Sequence, residues 1–144
     1  MMVPEINYWA VLVATASSML VGSIWYSMKV FGKRWAELAK VDMDRPGASA
    51  VVPILVTLVV SFITAWVLAG ATYLSWSFYG GGYLLNALGT GLILWAGFTA
   101  ARFITHDAFE GRPSSLTVLN IAHEIVTILL MAVIIGVWPP AGTV

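Results

Sequence analysis

The sequence contains no cysteine and few charged residues. Of its 144 residues, 10% are charged and 60% are hydrophobic, and the formal net charge is zero. The absence of cysteine excludes disulfide bonds, thiolate metal ligands and a cysteine nucleophile, and the zero net charge argues against a nucleic-acid partner. Soluble domains are about a quarter charged, and one of this size buries only about 70% of its surface. The composition therefore indicates an integral membrane protein.

Four apolar runs are each long enough to cross a bilayer. They cover residues 8–28, 51–74, 83–105 and 116–138, and about 20 residues of helix span a hydrocarbon core of about 30 Å. The runs lack the alternation of barrel strands, so they predict helices. We therefore expect an all-α integral membrane protein, a four-transmembrane-helix bundle in one domain over residues 1–144. The leader MMVPEIN has no basic residue, so we expect the first span to be retained rather than cleaved.

The positions of the basic residues predict the orientation in the membrane. The segment between the first two spans contains Lys29, Lys33, Arg34, Lys40 and Arg45, and the third connection contains Arg112. The second connection and the C-terminal tail are uncharged. By the positive-inside rule, the first and third connections face the cytoplasm and both termini lie outside. Aromatic residues mark an outer boundary at Tyr8, Trp9, Tyr73, Trp76, Tyr79 and Trp138, and an inner one at Trp25, Tyr26 and Trp35.

A polar stretch and two sets of small residues suggest how the helices are arranged. The stretch KRWAELAKVDMDRPGAS predicts a short interfacial helix from Trp35 to Lys40, which Pro46 ends. Small residues recur every four positions at Ala14, Ser18 and Gly22, and again at Gly97 and Ala101, with Gly89 and Gly91 above them. Such faces let helices approach closely in lipid. They could join two helices of one chain or two chains of a homodimer.

Polar residues gather where the third span meets the fourth. They are Arg102, His106, Asn120, His123 and Glu124, with Glu110 and Arg112 in the connection. Residues three or four apart share a helix face, so an antiparallel hairpin would bring Arg102 near Asn120 and Glu124. A lone carboxylate in the membrane costs about 2.5–3.5 kcal/mol on insertion scales, and Arg102 is its expected partner because a guanidinium binds carboxylates in a bidentate manner. This predicts either a polar pocket between the third and fourth helices or a simple tie between them.

Metal and catalytic interpretations have less support in the sequence. His106, Glu110, His123 and Glu124 offer donor atoms that suit a divalent metal. However, HEIVT lacks the second histidine of a zinc-protease helix, and the chain has no GxSxG, P-loop or dinucleotide fingerprint. We therefore expect no metal and no cofactor, and we favour a non-catalytic protein over an enzyme.

Three motifs resemble those of a known family. GSIWYSMKVFGKRW at residues 22–35, WAGF at 95–98 and FEGRP at 109–113, followed by Asn120, are similar to the pattern of the domain of unknown function 1761 family. The resemblance implies a small four-span protein of the bacterial inner membrane and supplies no activity. Within the first motif, Trp25 and Tyr26 can anchor the span at the inner interface, and Gly32 permits a tight turn.

Three functions remain open at this stage. The one we favour is binding or transport of a small solute, ion or lipid at a cytoplasm-facing pocket, with Glu124 or His123 taking up a proton. The second is a small membrane enzyme acting on lipid or isoprenoid headgroups, with His106 or His123 as general base. The third is an accessory subunit with packing roles only. In each case membrane lipids are the expected partners.

Overall fold

The described part of the protein is built from five helices. The computed structural model describes residues 3–42 and 50–143. The helices are α1 (Tyr8–Trp25), α2 (Gly32–Ala39), α3 (Val51–Tyr79), α4 (Tyr83–Phe109) and α5 (Ser114–Val137). Within those ranges four of them, α1, α3, α4 and α5, are long and apolar enough to cross a membrane. The predicted all-α fold with four spanning helices is confirmed. Arg45 and the predicted helix stop at Pro46 lie outside the described residues.

The ends of the helices differ from the ends of the apolar runs. The helix α3 continues to Tyr79 and α4 to Phe109, about one turn beyond the hydropathy boundaries. Hydropathy reports the solvent around a helix, and backbone hydrogen bonding continues past that boundary as long as the chain permits it. The short helix predicted from Trp35 to Lys40 corresponds to α2, which begins earlier, at Gly32, and ends at Ala39.

The four long helices pack as antiparallel neighbours. Helix α1 contacts α3 and α5, and α4 contacts the same two helices. Their buried core includes Val11, Leu68, Ala87 and Met131. The helices α4 and α5 approach closely at Gly136, where a Cβ atom would lie 2.8 Å from the Cα atom of Leu84. Close backbone approach through small residues is typical of helix packing in lipid.

The two small-residue faces have different surroundings. Ala14 and Ser18 are buried inside the chain, and a Cβ at Gly22 would lie 3.8 Å from the Nε2 atom of His123. The face on α1 therefore packs within one chain. Gly97 and Ala101 on α4 are exposed, and nothing lies within 4 Å of a Cβ built at Gly97. Association of two chains through small residues stays a prediction, and the face available for it is the one on α4.

One end of the bundle carries most of the charge. We call it the basic end, and it comprises the turn after α1, the helix α2 and the connection between α4 and α5. Lys29, Lys33, Arg34 and Arg112 lie there and are exposed. The opposite end contains the uncharged connection between α3 and α4 and the C-terminal segment. There the Asn7 side chain caps α1 and donates to the Trp138 carbonyl oxygen at 3.2 Å.

Candidate functional site

A cavity of about 590 Å³ lies between α1, α3 and α5, in the half of the bundle nearer the basic end. Its wall includes Gly22 and Tyr26 from α1 and its C-terminal cap, Thr57 and Thr64 from α3, and His123 and Glu124 from α5. Small-molecule sites in proteins typically enclose about 300–1,000 Å³ and combine an apolar wall with a few polar groups. The cavity has the size and the composition of such a site.

His123 and Glu124 form a pair on the cavity wall. The Nδ1 atom of His123 lies 3.2 Å from the Oε1 atom of Glu124, and the two side chains are 13% and 38% exposed. The Nε2 atom of His123 lies 3.5 Å from the hydroxyl oxygen of Thr127, one helical turn further on. We call His123 and Glu124 the dyad. Its carboxylate borders the cavity and is held by the neighbouring imidazole.

Aromatic rings from the first motif cover the imidazole of His123. The ring of Tyr26 lies 4.9 Å from the imidazole and the ring of Trp25 lies 5.9 Å from it, measured between centroids. Tyr26 follows the last residue of α1. Burial, and secondarily the negative charge of Glu124, raise the pKa of the Tyr26 phenol to about 12. The Tyr26 hydroxyl is therefore a neutral hydrogen-bond donor at physiological pH.

A tight turn places these rings. The amide of Phe31 donates to the Trp25 carbonyl at 3.0 Å, and the amide of Gly32 donates to the Ser27 carbonyl at 2.9 Å. The turn brings Phe31 back onto Trp25, with ring centroids 4.6 Å apart. A Cβ atom at Gly32 would collide with the carbonyl oxygen of Tyr26. Glycine at this position therefore allows the turn that sets Trp25 and Tyr26 against the dyad.

The five residues expected in one pocket between the third and fourth helices do not share one. Arg102 and His106 line a smaller cavity of about 270 Å³ at the basic end of α4. His123 and Glu124 line the larger cavity, which is bounded by α1, α3 and α5. Asn120 is half-buried and lines neither of the two. The predicted location of the pocket is therefore wrong, while ligand or proton binding by these residues stays a prediction.

The expected partnership of Arg102 with Glu124 is not formed either. Among the described residues, Glu124 is paired with His123, and no ion pair joins it to Arg102. Part of the reason is a π-helical turn in α4, Trp95–Ala100, which the sequence did not predict. A π turn holds more residues than an α turn, so it rotates the residues that follow it relative to an uninterrupted helix. The indole of Trp95 holds this segment against α5 by donating to the Ile121 carbonyl at 3.0 Å.

The FEGRP motif forms the connection between α4 and α5. Gly111 has a φ of +66°, a conformation that favours glycine. The Nε atom of Arg112 lies 2.6 Å from the Glu110 carboxylate and 3.8 Å from that of Asp107. Asp107 is buried and accepts a hydrogen bond of 2.7 Å from the Thr117 hydroxyl. These contacts close the hairpin between the two helices, and Asp107 is their buried member.

The cavity also contains residues that sequence reasoning did not select. Thr57, Ser61 and Thr64 lie on α3, and Thr127 lies on α5. Thr127 could have been found, because it stands one turn after His123 and so shares its face. The hydroxyls of α3 gave no such signal, because the sequence does not state which helix faces the dyad.

The four residues considered as metal ligands are divided in the same way. His106 and Glu110 line the small cavity, and His123 and Glu124 line the large one. Over residues 3–42 and 50–143, no group of three or more His, Cys, Asp or Glu side chains is placed to hold a metal ion.

Comparison with known proteins gives a family and no activity. The family model described as "Protein of unknown function (DUF1761)" matches residues 9–136. No curated protein and no solved structure matches the chain.

Proposed function

We propose that this chain, which belongs to the DUF1761 family, is a membrane protein that binds a small amphiphilic solute in the cavity between α1, α3 and α5. The observation that carries the proposal is the position of Glu124. Its carboxylate borders a cavity of about 590 Å³ and is paired with an imidazole rather than with a permanently charged guanidinium. Ionisable groups within spanning helices are costly and more often than not belong to a working site.

The residues that line the cavity support a solute with an apolar part. Its wall includes Met19, Ile54 and Met131, whose flexible or branched side chains can pack against hydrocarbon. Polar groups line the cavity on the same three helices, with the dyad on α5 and hydroxyl groups on α1 and α3. A ligand that combines a polar group with an apolar body would match this lining.

The proposal includes an orientation and a location. The cavity lies nearer the basic end, and the positive-inside rule would place that end in the cytoplasm of a bacterial cell, with the protein in the inner membrane. Basic residues at this end would also contact anionic lipid headgroups. On this basis, solutes enter the cavity from the cytoplasm or from the inner leaflet.

Thermal unfolding in lipid nanodiscs tests whether the cavity binds solutes at all. The panel contains dibenzylammonium, dibenzyl ether and diphenylacetate, which are cationic, neutral and anionic. A ligand present at about 100 times its Kd adds about 2.7 kcal/mol to stability, so at least one compound should raise the Tm of the wild-type protein.

The matched variants are Thr57→Trp and Val59→Trp. Both positions are exposed on α3, and Thr57 lines the cavity whereas Val59 does not. A tryptophan at position 57 should occupy the cavity and abolish the rise in Tm, and one at position 59 should leave it intact. If no compound distinguishes the wild-type protein from Thr57→Trp, the proposed function is wrong.

A further inference from the structure

We infer that the solute is a lipophilic ammonium ion with N–H groups, which enters the cavity in exchange for a proton from the dyad. This inference rests on the proposed function and specifies the ligand of the same cavity. It follows from the hydrogen-bonding state of the hydroxyl groups, from the charge of the wall and from the surroundings of His123.

Most of the hydroxyl groups that line the cavity present oxygen atoms rather than hydrogen atoms to a ligand. Five of them donate to carbonyl oxygens of their own helices at 2.7–3.0 Å: Ser18, Ser23, Thr57, Thr64 and Thr127. A hydroxyl has one hydrogen and two lone pairs, so a hydroxyl that donates to the backbone can still accept. An ionised carboxylate is also an acceptor only. The polar wall therefore offers more acceptors than donors, even with the phenol of Tyr26 as a donor, and this favours a ligand that donates.

The charge of the wall favours a cation. Among the described residues that line the cavity there is no lysine or arginine, and the titratable ones are Tyr26, His123 and Glu124. The described lining residues of α3 include no titratable group. Tyr26 stays neutral, so Glu124 is the source of net charge when His123 is neutral. A carboxylate in such surroundings attracts a positive charge more strongly than it would in water.

The contacts of His123 allow it to hold the proton that the ligand replaces. Its Nδ1 atom faces the Glu124 carboxylate at 3.2 Å, and its Nε2 atom faces the Thr127 oxygen at 3.5 Å. The hydrogen of the Thr127 hydroxyl is donated to the His123 carbonyl, so both ring nitrogens face acceptors. An imidazolium donates from both nitrogens, and with Glu124 ionised the dyad then has no net charge. An ammonium ion that donates to Glu124 can replace this proton, so one positive charge enters and one leaves.

The size of the cavity favours an organic ammonium ion over a bare metal ion as the ligand. A volume of about 590 Å³ far exceeds what one monatomic ion fills. The carboxylate and hydroxyl oxygens would bind the ammonium end, and Met19, Ile54 and Met131 would contact the apolar body. A quaternary ammonium of similar size has the charge but no N–H group, so it tests the role of the acceptors separately.

Isothermal titration calorimetry in nanodiscs of zwitterionic lipid tests the inference. The probes are dibenzylammonium, dibenzyldimethylammonium, dibenzyl ether and diphenylacetate, with lipid-only nanodiscs as the blank. A charge-assisted hydrogen bond is worth roughly a tenfold to hundredfold change in affinity. Dibenzylammonium should therefore bind about tenfold or more tightly than dibenzyldimethylammonium, and about a hundredfold or more tightly than diphenylacetate.

Variants test whether the preference for dibenzylammonium arises from binding in the cavity. Glu124→Gln should lower the affinity for dibenzylammonium about tenfold or more. Thr57→Lys adds a positive charge at an exposed position on the cavity wall and should have the same effect, whereas Val59→Lys, at an exposed position of α3 that does not line the cavity, should not. The pair Thr57→Lys and Val59→Lys keeps the test decisive if Glu124→Gln does not fold.

The outcomes distinguish the inference from the proposed function. If the ether or diphenylacetate binds as tightly as dibenzylammonium and Thr57→Trp abolishes that binding, the cavity binds solutes and the ammonium assignment is wrong. Equal affinities for dibenzylammonium and dibenzyldimethylammonium would overturn the requirement for N–H groups. If none of the four probes binds the wild-type protein, both the inference and the proposed function fail.

Discussion

Replacing Gly32 by alanine should lower the free energy of unfolding by about 3 kcal/mol, at the upper end of what overpacking a tight site costs. The added methyl group would collide with the Tyr26 carbonyl oxygen and lie 2.8 Å from that of Ser27. Both obstacles are backbone atoms, so relief requires the turn itself to open. Opening would remove the hydrogen bonds from the amides of Phe31 and Gly32 and displace the rings that cover His123.

Unfolding of the purified protein in mixed micelles with increasing sodium dodecyl sulfate measures this effect, and Gly89→Ala is the control. Gly89 is an exposed residue of α4, and nothing lies within 4 Å of a Cβ built there. Alanine is a better helix former than glycine by about 1 kcal/mol, so the control should be unchanged or slightly stabilised. Equal stabilities of the two variants would show that the turn does not have the geometry described.

The affinity for dibenzylammonium should rise with pH, by up to about tenfold per pH unit while the dyad releases its proton. At low pH the dyad holds the proton, which competes with the cation for Glu124. As the pH rises the proton leaves and the cation binds more tightly. Calorimetric titrations at several pH values at which the amine stays protonated measure this dependence.

The number of protons released on binding provides an independent check. Because linkage is reciprocal, binding of the ammonium ion at a pH where the dyad is protonated should release about one proton. Calorimetry in two buffers with different ionisation enthalpies measures that number. Glu124→Gln should show weak binding at each of these pH values. A wild-type affinity that is constant or falls as the pH rises would contradict exchange at the dyad.

The spanning helices were predictable because length and hydropathy are local properties of the chain. Each of the four runs is predominantly apolar and long enough to cross a bilayer, so a helix is the structure that satisfies its backbone there. The motif around Gly32 was also readable, since glycine between aromatic residues at a membrane boundary suggests a tight turn. The same local signals identified His123 and Glu124 as residues that lipid alone would not tolerate.

The partner of Glu124 was not predictable, because it depends on how each helix is rotated about its axis. The fourth span contacts each of the other three spans, and the sequence places the dyad on one side of the helix without saying which neighbour that side faces. The π turn in α4 changes the direction in which Arg102 faces, and the sequence WAGFTA carries no signal that predicts such a turn. Gly22 was noted only as a small residue, but it marks the side of α1 that faces His123, because a Cβ built there would lie 3.8 Å from the Nε2 atom of His123.

The position of Glu124 on the cavity wall is the claim on which the proposal depends, and thiol labelling tests it directly. The chain has no cysteine, so Thr57→Cys supplies a single reactive thiol on that wall.

A cationic methanethiosulfonate should react faster than an anionic one, because the nearby carboxylate attracts the first and repels the second. Taking the ratio of the two rates removes the contribution of the thiol's own reactivity, which is the same for both reagents. The ratio should fall towards its value for a free thiol in Glu124→Gln and stay unchanged in Arg102→Gln. The account would be contradicted if Glu124→Gln left the ratio unchanged, or if Arg102→Gln lowered it.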